Sequence, residues 1–60
     1  SMHPVDVVEG ALVTMPGQGT FRVVYTYPAS GRTQVVLRHT TRLSYQTRSI
    51  DEICAKWEKL

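Results

Sequence analysis

Thr20-Phe21-Arg22-Val23-Val24-Tyr25-Thr26-Tyr27-Pro28-Ala29-Ser30-Gly31-Arg32-Thr33-Gln34-Val35-Val36-Leu37-Arg38-His39 is the stretch on which the fold turns. Its apolar residues recur with a period of two rather than 3.6, and valine, threonine, tyrosine and phenylalanine are residues that suit a pleated strand. Pro28-Ala29-Ser30-Gly31 interrupts the alternation with turn residues, so the stretch reads as two antiparallel strands, Thr20 to Tyr27 and Arg32 to His39, joined by a hairpin. Alternation places Phe21, Val23, Tyr25 and Tyr27 on one face of the first, with Arg22, Val24 and Thr26 on the other. In the second, Val35 and Leu37 share one parity, and Gln34, Val36 and Arg38 share the other.

The same period extends outward in both directions. Upstream, Ala11 to Met15 reads as a strand, which either starts at Ala11 or extends back through Val5, Val7 and Val8 past a bend at Gly10. Pro16-Gly17-Gln18-Gly19 is a tight turn into the hairpin. Downstream, a polar link from His39 to Arg42 leads to a strand from Leu43 to Arg48, where Leu43, Tyr45 and Thr47 alternate with Arg42, Ser44, Gln46 and Arg48. At Ser49 the period changes. Ser49-Ile50-Asp51-Glu52 fits a capping box, with acids in the first turn, lysines in the last and an i,i+4 pair between Glu52 and Lys56. Residues 50–60 therefore read as a helix whose apolar stripe is Ile50, Ile53, Cys54, Trp57 and Leu60.

Hairpin-linked strands closed by a helix imply a mainly β domain: a small, strongly bent antiparallel sheet or SH3-like barrel of four to five strands with a C-terminal α-helix. Doubly wound α/β folds are excluded because no helix connects the strands. Through Gly10, Val13, Gly17, Gly19, Val23 and Val24, over about two thirds of the chain, the order of events resembles the small SH3-like barrels of the KOW and Tudor kind. The longer terminal helix departs from that pattern.

A chain of 60 residues makes one domain and buries only about 60% of the surface its unfolded form exposes. Ser1 before Met2 reads as a tag-cleavage scar, residues 5–49 as the sheet and residues 50–60 as the helix. Cys54 is the only cysteine, which excludes an internal disulfide, and His3, His39 and Cys54 fit no metal-ligand spacing. The stripe with Ile53, Trp57 and Leu60 either caps the sheet or turns in part to a second subunit, and self-association is the remaining common way to supplement a thin core. Neither a membrane-length apolar run nor a signal-peptide pattern is present, and a cytoplasmic location is expected.

Charge is segregated. From Gly10 to Ile50 the charged residues are Arg22, Arg32, Arg38, Arg42 and Arg48, without a lysine or an acid, while Asp6, Glu9, Asp51, Glu52 and Glu58 lie outside, so the net charge of +2 understates the middle of the chain. Arg42, Ser44, Gln46 and Arg48 recur at a period of two over about 20 Å. Antiparallel neighbours would bring Arg22 and Arg38 to the same patch. Arginine among serine, glutamine and threonine suits phosphate contacts, although a solubilising sheet face has the same composition. Tyr25, Tyr27 and Tyr45 share parity with Phe21, Val23 and Leu43, which assigns them to the core or its edge and leaves base stacking to a tyrosine at an open rim. His39 reads as a solvated loop histidine before a ligand for phosphate or a partner carboxylate, and Cys54 as a buried structural thiol before a nucleophile.

No nucleophile, phosphate-loop or cofactor motif is present, so a non-enzymatic role without metal or cofactor is expected. Two functions follow. The first is an accessory module binding DNA or RNA through Arg22, Arg38, Arg42 and Arg48, with Gln46 and Tyr45 beside them. The second is an SH3-like interaction or inhibitor module that docks an acidic protein. An active site formed only at an oligomer's symmetry axis is a weaker third.

Overall fold

In a computed structural model covering residues 1–60, the chain is mainly β, with five antiparallel strands in one open sheet and one helix near the C-terminus. A 3₁₀ turn at Pro4–Asp6 comes first, followed by β1 (Leu12–Met15), β2 (Gly19–Ala29), β3 (Arg32–His39), β4 (Tyr45–Ser49), α1 (Ile50–Lys56) and β5 (Glu58–Lys59). The order across the sheet is β4-β3-β2-β1-β5, so β4 and β5 are its edges. No helix is long and apolar enough to cross a membrane.

The central hairpin is built as its sequence implies, and its strands run further into the turn than the pattern suggested. Ala29 pairs with Arg32, leaving Ser30 and Gly31 as a two-residue connection with φ of 53° and 73°. Positive φ at both positions is the signature of a type I′ turn, whose twist matches the flanking strands. Pro28 lies within β2 opposite Thr33, beyond the part of β2 that pairs with β1. Its missing N–H therefore interrupts no ladder on that side.

One core sits on one face of the sheet. Val13, Phe21, Val23, Val35 and Leu37 come from the strands, Val7 from the segment after the 3₁₀ turn, and Ile53 and Trp57 from the helical segment. Trp57 is 0% exposed and meets Phe21 edge to face at a centroid distance of 5.2 Å. Such contacts contribute roughly 0.5–1.5 kcal/mol beyond the area they bury. Gln18, in the β1–β2 turn, accepts a 2.7 Å hydrogen bond from Gln46 of β4, a side-chain link between residues 28 apart in sequence.

Several expectations are corrected. Val5 does not begin the first strand: the backbone turns through Pro4–Asp6, with the His3 ring accepting from the Val5 N–H at 3.1 Å. The helix ends at Lys56 instead of running to Leu60. Trp57 is extended (φ −104°, ψ 156°), and Glu58 and Lys59 pair with Thr14 and Val13 of β1. Backbone pairing along the free side of β1 replaces a further helical turn. Leu60 consequently leaves the apolar stripe and is 69% exposed. Ser49 does cap the helix, accepting from the Glu52 N–H at 3.2 Å. The Glu52 carboxylate approaches Arg48 Nε at 3.8 Å and forms no ion pair with Lys56.

Candidate functional site

A single bulge decides what the sheet shows to its surroundings. In the β2–β3 ladder Val23 is opposite Leu37, but the next pair is Tyr25 with Val36, so Val24 is an extra residue in β2. The Val23 carbonyl accepts from Gly10 N–H at 2.8 Å, and its N–H donates to Ala11 at 2.9 Å. This commits both polar groups of Val23 to the β1 side, and the ladder on the β3 side restarts one residue later. An inserted residue inverts every side chain beyond it.

Phe21 and Val23 therefore point into the core, and Tyr25 and Tyr27 point to the opposite, outer face. Thr26, opposite Val35, takes the core-side position instead. The expected core placement of Tyr25 and Tyr27 is thus overturned. Their rings are exposed and lie beside each other, with centroids 5.9 Å apart and planes tilted by 35°. Tyr45 is also on the outer face, opposite Arg38 and 58% exposed. Leu43, two residues before it in the alternation, is 82% exposed in the β3–β4 loop.

Three cross-strand rows describe this face: Arg22, Arg38 and Tyr45; Tyr25, Val36 and Thr47; and Tyr27, Gln34 and Ser49. The Arg38 guanidinium carbon lies 5.8 Å from the centre of the Tyr45 ring, within cation–π range. Strands β2, β3 and β4 contain no carboxylate. The one acid on a strand, Glu58, belongs to the far edge strand β5 and pairs with the N-terminal ammonium of Ser1.

The arginines do not converge on one face. Arg22 and Arg38 are on the outer face with Tyr45, whereas Gln46 and Arg48 are opposite Leu37 and Val35 and belong to the core side of edge strand β4. Arg48 donates to the Thr47 carbonyl at 2.8 Å and approaches Glu52. Arg42, in the β3–β4 loop, has its Nη2 3.5 Å from His39 Nε2. Arg32 is at the hairpin tip. Strand β4 begins at Tyr45 and not at Leu43, so the alternation read over residues 42–48 holds only from Tyr45 onward, where Gln46 and Arg48 lie on the core side, while residues 40–44 form the β3–β4 loop.

His39 is a core residue and not a solvated loop histidine: it is 7% exposed, packs edge to face on Phe21 at 5.0 Å, and accepts at Nδ1 from the Thr41 N–H at 3.1 Å. Cys54 is half-buried and free. Burial, followed by the charges of Asp51 and Asp6, pushes its thiol above the ordinary value, which opposes nucleophilic chemistry. Ile53 and Trp57 are fully buried against the sheet within the monomer, as the sheet-capping reading of the stripe has it, while Leu60 is exposed. No pocket indents the molecule.

Compared with known proteins, the chain matches no family model, no curated protein and no solved structure at a significant level. Its residues therefore take their roles from geometry alone.

Proposed function

We propose that this protein is a small non-enzymatic accessory module that binds nucleic acid through the outer face of its sheet. The observation that carries the reading is the company of Arg22 and Arg38: three exposed tyrosines share their face, and the strands beneath carry no carboxylate. Phosphates are attracted by such a surface, and aromatic rings beside guanidinium groups accept bases. Relative to the arginine set read from sequence, the contact surface moves to Arg22, Arg38 and Tyr45, and extends to Tyr25 and Tyr27. Arg42, Arg48 and Gln46 are peripheral to it.

Binding of labelled oligonucleotides at increasing salt tests this. Log affinity is expected to fall linearly with log salt, and the Arg22→Ala/Arg38→Ala double variant is expected to lose both affinity and slope. An Arg42→Ala/Arg48→Ala variant retains more of both. Absence of binding to DNA and RNA at low salt refutes the reading.

A second reading, an SH3-like interaction module for an acidic protein, is favoured by the unpaired outer edge of β4 beside exposed Tyr45 and Leu43. Polyglutamate is the discriminating ligand. Affinity for it equal to that for an oligonucleotide of the same charge would favour the protein partner.

A further inference from the structure

Resting on the nucleic-acid reading, we infer that the outer face takes a single strand in preference to a duplex, with one backbone phosphate held between Arg22 and Arg38 and bases laid on Tyr25, Tyr27 and Tyr45. Arg22 and Arg38 are direct cross-strand neighbours, which puts their Cβ atoms about 5 Å apart. Two guanidinium groups at that spacing converge on one phosphate group. They do not span a duplex major groove, which is about 12 Å wide.

The tyrosines point to the same ligand. A ring stacks on the face of a base, and in a duplex those faces are covered by neighbouring pairs, whereas a single strand presents them. Tyr25 and Tyr27 follow one another along β2 on the same side as the arginine pair, and Tyr45 flanks that pair on β4. The phosphate position is thus bordered by aromatic rings on two strands. With centroids 5.9 Å apart, the Tyr25 and Tyr27 rings are closer than the roughly 6.8 Å that a base inserted between them needs, twice the 3.4 Å stacking rise. Bases therefore lie over the exposed ring faces and do not intercalate. The sheet supplies no helix or ribbon on this side to enter a groove, since α1 packs against the other face with the core.

Fluorescence anisotropy at low salt with four probes tests the inference: a short labelled single-stranded DNA, the RNA of the same sequence, their matched duplex, and an abasic strand of the same length. The single strands are expected to bind about tenfold or more tighter than the duplex and the abasic strand. Tyr25→Ala and Tyr27→Ala are each expected to weaken single-strand binding by roughly fivefold or more while leaving the abasic strand unchanged. Tyr25→Phe, which keeps the ring, retains affinity. Duplex or abasic strand bound as tightly as single strand overturns the stacking inference and leaves the nucleic-acid reading standing. Equal losses on every probe in the alanine variants also overturn it. Failure of all four probes to bind overturns both.

Discussion

Arg22 lies directly opposite Arg38 in the ladder between β2 and β3. Like charges in that position oppose each other, and a carboxylate on a neighbouring strand would relieve the pair. Here β2, β3 and β4 have none to offer. Arg38 instead leans toward the Tyr45 ring and its Nη1 lies 3.4 Å from the His39 carbonyl. The pair costs some folding stability, and the proposed function gives it an anion to bind.

Arg22→Glu separates these two consequences. A cross-strand Glu–Arg pair is expected to stabilise the fold by about 0.2–1 kcal/mol, read as a higher urea midpoint, while oligonucleotide affinity at low salt falls by an order of magnitude or more. A drop in stability together with unchanged binding would contradict the role given to the pair.

Gly19 and Gly17 give a paired comparison in the β1–β2 turn. Both have positive φ, 102° and 84°, but a Cβ on Gly19 would lie 2.9 Å from His39 Nε2, whereas one on Gly17 meets nothing within 4 Å. Gly17→Ala is expected to cost about 1 kcal/mol for the backbone alone, and Gly19→Ala more. Adding His39→Ala to each background in urea unfolding is expected to show coupling only with Gly19→Ala.

Trp57→Ala is expected to destabilise by about 3–5 kcal/mol. A domain of this size has only about that much stability to lose, so the variant should be largely unfolded by near-ultraviolet circular dichroism. In the native protein, the fully buried indole is expected to emit in the blue and to resist acrylamide quenching until the chain unfolds.

Cys54 is expected to react with iodoacetamide more slowly in the native protein than in urea across neutral pH, followed by mass spectrometry. Its folded pKa is raised by burial and by Asp51 and Asp6, so the native state holds the thiol proton where the unfolded state releases it. Above the ordinary thiol pKa the unfolded chain binds fewer protons. Stability therefore falls as pH rises through that range, and the effect is absent at neutral pH.

Period-two patterning, the turn residues at 16–19 and 28–31, and the cap at Ser49 were enough by themselves to determine a mainly β chain of hairpin-linked strands followed by a helix, because these features act over a few residues of backbone. Arg32–His39 appears with the bounds its alternation implies. What faces where was decided by tertiary structure. Val24 carries no local sign of a bulge; its insertion follows from the bonds that Gly10 and Ala11 make to Val23, and it turns Tyr25 and Tyr27 from core residues into surface ones. The direction of β4 is likewise set by its register with β3, which sends Gln46 and Arg48 to the core side and Tyr45 outward. Parity along a strand tells which residues travel together. The partner strand and the core beneath it determine which group is inside, since inversion of a whole strand leaves its own alternation unchanged.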